Sequence, residues 1–240
     1  MSRRRRAATA LAGLAIFALI ALKVWLEQVP SQQNLPTPQG AILASSTRGK
    51  ALLARAVHAD YEALGTTLQS QTRRSFCGVA SSATVISAVK GRRLEQAQYF
   101  TDAVTAHRPR WKTLIVGMTL EDLAQGLRAH GLRAQAVHAA NTDVLAFQAE
   151  LARNLASDSD YLLVNYQRTV LNEVGGGHIS PVAAFEPVSQ RVLLLDTATY
   201  KYRARWVPLQ DLFSAMQTND PDSEKSRGWV RISPGPHPSE

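Results

Sequence analysis

The chain has 240 residues, 45% hydrophobic and 19% charged, which is the make-up of a globular protein and excludes a disordered or fibrous one. Its formal net charge of +8 invites a nucleic-acid reading. However, Arg3 to Arg6 supply four of those charges within the N-terminal leader, and the rest are scattered with no basic run interleaved with aromatics, so nucleic acid is set aside as a partner. One cysteine excludes an internal disulfide and any thiolate cluster, so the fold must rest on its core.

Residues 1–26 read as a signal anchor or signal peptide: four arginines, then Ala7 to Leu22 without a charge, then Lys23 with an amine able to snorkel. The segment lacks a convincing small-x-small cleavage site, which favours an uncleaved anchor over residues 7–26 in the inner membrane. The remainder of the chain is then expected in the bacterial periplasm, an oxidising space where an unpaired cysteine is unusual unless its reactivity is used. Residues 27–46, with Pro30, Pro36 and Pro38, read as a linker, 47–233 as one catalytic domain, and 234–240 as a tail.

Gly49 to Leu64 has the apolar spacing of one or two short helices. Ser75-Phe76-Cys77-Gly78-Val79-Ala80-Ser81-Ser82 opens a small-residue helix that puts the thiol at the positive end of the macrodipole, where thiolate is favoured. Leu94 to Ala106 reads as a helix broken by Arg108-Pro109-Arg110. Thr119 and Asp122 predict a capping box for a helix that ends near Gly131, Leu132 to His138 a strand, and Asn141 the cap of a helix running to about Leu155. From Tyr161 onward the texture is that of short strands, at Tyr161–Tyr166, Ile179–Phe185, Arg191–Leu195 and Trp229–Ile232, with one helix near Leu209–Gln217. A helical half therefore carries the thiol and a β-rich half the imidazole: an α+β fold.

His178 comes directly after Gly175, Gly176 and Gly177, and such a glycine run beside a strand permits close backbone approach by a ligand. Asp196 closes the apolar run Val192–Leu195, where a buried carboxylate needs a partner. Cysteine, histidine and aspartate in that order supply a nucleophile, a base and a group to fix the base's tautomer. A metal site is the weaker alternative, since no His-x-x-x-His or Cys-x-x-Cys spacing exists.

Three separated blocks resemble the phytochelatin synthase family: Gln71 with Cys77-Gly78-Val79-Ala80-Ser81; Gly176-Gly177-His178-Ile179-Ser180-Pro181; and Leu195-Asp196-Thr197-Ala198 with Tyr200-Lys201-Tyr202 and Trp206-Val207-Pro208 after it. The resemblance runs from about Ser46 to Ile232 and, without the cysteine-rich C-terminal region of the plant enzymes, looks like the short bacterial form. It implies a papain-like fold, a helical lobe with the cysteine and an antiparallel-sheet lobe with the histidine and aspartate. It also implies glutathione γ-glutamylcysteinyltransferase activity linked to metal detoxification or glutathione turnover. In that reading Cys77 is the nucleophile, His178 the general base and acid, Asp196 its orienting group, and Gln71 the side-chain donor of an oxyanion hole shared with the Cys77 N–H. Gly176, Gly177, Asp220 and Arg227 line the substrate site, with Lys201-Tyr202 and Arg168 as weaker additions. The short form implies mainly hydrolysis, with weak transfer to a second glutathione.

No cofactor is required in this reading, and cadmium or zinc enters as a glutathione thiolate complex. The oligomeric state is left open, a homodimer included. Two rivals stand beside it: a generic papain-like peptidase acting on cell-wall or leader peptides, and an anchored periplasmic binding protein whose site has degenerated.

Overall fold

The computed structural model describes residues 3–235, with side chains from Gly13 onward; Met1, Ser2 and residues 236–240 of the expected tail lie outside the described residues. The helices of the first half are α1 (Arg3–Glu27), α2 (Thr47–Leu53), α3 (Tyr61–Thr67), α4 (Cys77–Lys90), α5 (Asp102–His107), α6 (Arg110–Val116) and α7 (Leu120–Ala129). The capping box forms as expected: the Asp122 N–H donates to Thr119 Oγ1 at 3.1 Å, and the Thr119 N–H donates to the Asp122 carboxylate at 3.0 Å.

Local signals misplace two other elements. Leu94 to Tyr99 is not helical, because the Leu94 N–H donates to Ser87 Oγ at 2.9 Å and its carbonyl accepts from Gln69 Nε2 at 2.7 Å. Those side chains give the backbone an alternative to an i→i−4 ladder. The next helix, α8 (Val144–Asn154), is capped by Asp143 and not by Asn141; Asp143 Oδ1 accepts from the Ala146 N–H at 2.8 Å. Last in chain order is α9 (Leu209–Gln217), at its expected position.

The strands are β1 (Ile42–Leu43), β2 (Arg133–His138), β3 (Tyr161–Gln167), β4 (Gly177–Glu186), β5 (Arg191–Leu194), β6 (Arg205–Pro208), β7 (Asn219–Asp220), β8 (Lys225–Ser226) and β9 (Gly228–Ser233). Seven of them make one antiparallel sheet in the order β1-β6-β5-β4-β3-β9-β2, and β7 and β8 form a separate ribbon. Side chains along β3 alternate between two cores. Leu163 faces Val79, Val85, Leu123 and Leu127 of the helical lobe, while Leu162, Val164 and Tyr166 face Phe147, Leu151, Leu212 and Phe213 of α8 and α9. Each fully buried side chain of this size contributes roughly 1.5–3 kcal/mol. The sheet is thus covered on both faces.

The stretch expected as a linker is bound to the body. The N–H groups of Gln33, Asn34 and Leu35 donate to the carbonyls of Tyr200 and Lys201 at 2.7–3.0 Å, and Ile42–Leu43 forms the edge strand beside Arg205–Trp206. Upstream, α1 is tied down at its end by Glu27, which meets Arg73 at 2.9 Å and Arg110 at 2.8 Å. Farther along α1, Leu14, Phe17, Leu19 and Ile20 are exposed. Among the residues described in full, no helix is long and apolar enough to cross a membrane.

Candidate active site

Cys77 is the first residue of α4, so its own N–H is among the orphan donors of the helix start. The helix reaches the sheet because its first turns are small. A Cβ on Gly78 would lie 2.9 Å from Met118 Sδ and 3.2 Å from Ile179 Cδ1, and Ser81 Oγ donates to the Ile179 carbonyl at 3.0 Å. That contact seats the thiol against the start of β4, where His178 stands.

The antiparallel register brings His178 and Asp196 together. Val182 of β4 pairs with Leu194 of β5, and the Leu195 N–H donates to the Pro181 carbonyl at 3.0 Å, so the residues just before and just after this pair meet at one end of the sheet. His178 Nε2 lies 2.8 Å from Asp196 Oδ1, leaving Nδ1 as the ring nitrogen for the thiol's proton. Tyr166, opposite His178 on β3, sets its ring edge-on to the imidazole at 5.7 Å.

Behind this pair lies a buried ionic quartet without a sequence-level signal. Arg168 Nη2 donates to both Asp196 oxygens at 2.8 and 2.9 Å, Arg205 Nη1 donates to Oδ2 at 2.9 Å, and both guanidiniums also bond Glu173. The Ala198 N–H adds a bond to Oδ1 at 2.7 Å. Two arginines against two carboxylates balance in charge, which is the condition for burying ions at all. Arg168 is therefore part of the support of the triad and does not line a peptide site as the resemblance implied.

The quartet decides the protonation of the pair. Burial alone would raise the Asp196 pKa, but His178, Arg168 and Arg205 outweigh it and hold the carboxyl well below its usual value. Asp196 favours an imidazolium through its charge and its hydrogen bond, but it is outweighed. Burial, with Arg168 adding to it, brings His178 down to about 4. Burial likewise pushes the Cys77 thiol up, against backbone hydrogen bonds from Ile179 and Gly78 and the charge of Arg168. The helix dipole has the expected sign, but desolvation works against it and favours the neutral thiol.

Cys77 and His178 line a cleft of about 480 Å³ shared with Met118, Asn165, Gly177, Asp220, Asp222 and Arg227. Asp220 and Arg227 therefore fall where the resemblance implied, while Asn165, whose Nδ2 is 3.4 Å from Asp220 Oδ2, was not anticipated. A Cβ on Gly177 would lie 2.6 Å from Arg227 Nη2, so a larger residue there would displace the guanidinium. The other expected residues stand elsewhere. Gly176 is exposed with open space beside it. Lys201 lines a different cavity, under the strap Asn34–Pro38. Gln71 is buried and outside the cleft lining; its Nε2 donates to the Arg73 and Arg74 carbonyls at 2.9 and 2.7 Å, which occupies both amide hydrogens. It braces the turn leading into Cys77. Among the described residues, no group of three or more His, Cys, Asp or Glu is placed to hold a metal ion.

A cysteine at a helix N-terminus thus lines one cleft with a histidine that a buried carboxylate holds at the end of an antiparallel sheet. The profile of the family described as phytochelatin synthase matches residues 32–229, and the chain belongs to that family. Glutathione gamma-glutamylcysteinyltransferase 1 of Triticum aestivum is 30% identical over 208 residues, covering 83% of this chain and 41% of that relative. Glutathione gamma-glutamylcysteinyltransferase of Schizosaccharomyces pombe is 25% identical over 209 residues, 82% of this chain and 50% of its own. The chain thus spans about half, or less, of the length of these relatives. Among solved structures, the cysteine protease xylellain from Xylella fastidiosa aligns with a TM-score of 0.44 at 10% identity, over 87% of this chain and 95% of that one.

Proposed function

We propose that the chain is a glutathione γ-glutamylcysteinyltransferase, releasing glycine from glutathione through a Cys77 thioester. The observation that carries this reading is the pairing of charges in the cleft of Cys77. The Arg227 guanidinium is buried, with one bond from Nη1 to the Asn219 carbonyl at 3.0 Å; its Nε has no partner among the described residues, and its approach to Asp220 is a long 3.9 Å. A buried cation so loosely matched calls for an anion. With Asp220 and Asn165 adjacent, the pocket suits a free α-amino acid end, guanidinium to carboxylate and Asp220 to ammonium, which the γ-glutamyl group supplies. The names of the plant and fungal relatives support the same substrate.

The chemical steps start from the neutral resting pair. Sγ attacks the carbonyl carbon of the substrate's cysteine residue as its proton passes to His178 Nδ1, and the backbone N–H of Cys77 receives the oxyanion. The intermediate collapses, the C–N bond breaks, and the glycine nitrogen takes the proton from His178. Water or the α-amine of a second glutathione then attacks the thioester, giving γ-glutamylcysteine or a phytochelatin, with His178 accepting the nucleophile's proton and returning it to sulfur. Cadmium or zinc takes part as a glutathione thiolate complex, on the substrate side.

The test is mass spectrometry of products from the purified chain with glutathione, with and without cadmium, which reads substrate and acyl acceptor together. Inertness towards glutathione alongside cleavage of wall or leader peptides would move the chain to the generic peptidases. Within the glutathione reading, Gly177→Ala should displace the Arg227 guanidinium and raise KM about tenfold, with kcat changed far less. An unchanged KM would remove Arg227 from the substrate site. The N-terminal helix is read as an anchor holding the domain at the periplasmic face of the inner membrane, supported by the uncharged run Ala7–Leu22 behind four arginines.

A further inference from the structure

The ribbon of β7 and β8 leaves the sheet lobe and is fastened to the helical lobe. Asp222, at its tip, accepts from Arg108 Nη1 at 2.7 Å and meets Lys112 Nζ at 3.5 Å. Arg108 is only 3% exposed, and the rest of its guanidinium is spent on the helical wall: Nε and Nη2 donate to the Gly117 carbonyl at 3.2 and 2.6 Å, and Nη1 meets Asp122 at 3.0 Å. Gly117 and Met118 on one side, and Asp220, Pro221 and Asp222 on the other, all line the cleft. The two walls are thus bolted together across its mouth by one buried cation. Burial works against charge on Asp222, but the Arg108 bond and Lys112 outweigh it and hold the carboxyl below its usual value, so the bolt persists across neutral pH.

A buried arginine with every arm committed is a structural investment that neither the triad nor the Arg227 pocket uses. Its consequence is steric. The ribbon tip follows directly on Asp220, where the Asp222 N–H donates to Asp220 Oδ1 at 3.1 Å, so an acyl donor whose amino-acid end sits at Asp220 and Arg227 meets the bolt once more than a short group is attached to its α-amine. We propose that the Arg108–Asp222 bridge closes this end of the cleft and makes Asp222 a specificity-determining residue, restricting the protein to acyl donors whose amino-acid terminus carries no long extension. This rests on the reading of Asp220 and Arg227 as the pocket for that terminus.

The test measures protection of Cys77 from iodoacetamide by glutathione and by glutathione carrying an acetyl or a hexanoyl group on its α-amine, each S-methylated so that its own thiol does not consume the reagent. Both acyl forms lack the ammonium, so they differ only in length. In the wild type the hexanoyl form should protect at least tenfold less well than the acetyl form, and in Asp222→Ala the two should protect alike. Asp222→Asn, which keeps the shape and weakens the ion pair, should narrow the gap about threefold and serves if the alanine variant does not fold. Glutathione that protects without any length discrimination, or discrimination that survives in a folded Asp222→Ala protein, overturns the bolt alone. Failure of glutathione itself to protect Cys77 overturns the substrate reading and the bolt's role with it.

Discussion

Asp196→Asn should lower kcat by about three to four orders of magnitude and destabilise the fold by about 3–5 kcal/mol. Asp196 accepts from His178, Arg168, Arg205 and the Ala198 N–H, at 2.7 to 2.9 Å. Asparagine keeps one acceptor oxygen and turns an NH₂ toward donors. The first loss falls on His178, whose tautomer is no longer fixed with Nδ1 free to take the thiol's proton. The second falls on the quartet, which becomes two buried guanidiniums against Glu173 alone. The pH dependence has a definite sign. The folded Asp196 pKa is depressed, so its stabilisation is fully present above the usual carboxylate range and is lost as pH falls through the lower, folded value. The variant should therefore show its full deficit at neutral pH and a flatter acid limb. Urea unfolding from pH 3 to 7, with product release at pH 7, reads both; near-normal turnover in the asparagine enzyme would remove Asp196 from the chemistry.

The triad is legible in the sequence because its members are chemically rare: one cysteine, a histidine behind three glycines, an aspartate ending an apolar run. The α7 capping box is legible because both partners lie within one turn. What escapes a reading of the sequence depends on partners distant along the chain. Arg168 reads only as a weak addition to the substrate site, and Arg205 draws no notice, until β3, β5 and β6 carry them and Asp196 into one buried cluster. Arg108, which reads as part of a helix break, is the bolt of the cleft, and Pro109 begins the unanticipated α6 instead of merely ending a helix. The thiol's charge state eludes the sequence because a dipole can be inferred from position along a helix, whereas desolvation depends on what the sheet places against it. Gly176 is drawn in by adjacency to Gly177, which does line the cleft, and Lys201 by its place in a resembling block, although the turn after β5 carries it to a different cavity.

The largest stability effect outside the site should come from Asp60→Asn. Asp60 is fully buried at the start of α3, makes no side-chain cap, and has no hydrogen-bond partner among the described residues for either carboxylate oxygen. Burial, with Asp160 and Asp158 nearby, raises its pKa to about 8. The folded protein therefore holds a proton here that the unfolded chain releases near pH ~4, and stability should fall as pH rises between those values. Asparagine resembles the protonated acid in shape and carries no charge to bury. The variant should match the wild type near pH ~4 and exceed it by about 5 kcal/mol at pH 8, a rise in melting temperature on the order of 10 °C. Thermal and urea unfolding of both proteins at pH 5, 6.5 and 8 would decide it. Parallel stability curves would mean that Asp60 is ionised and satisfied in the folded chain, whereas curves that diverge with pH locate the alkaline weakness of this fold at a single buried carboxyl.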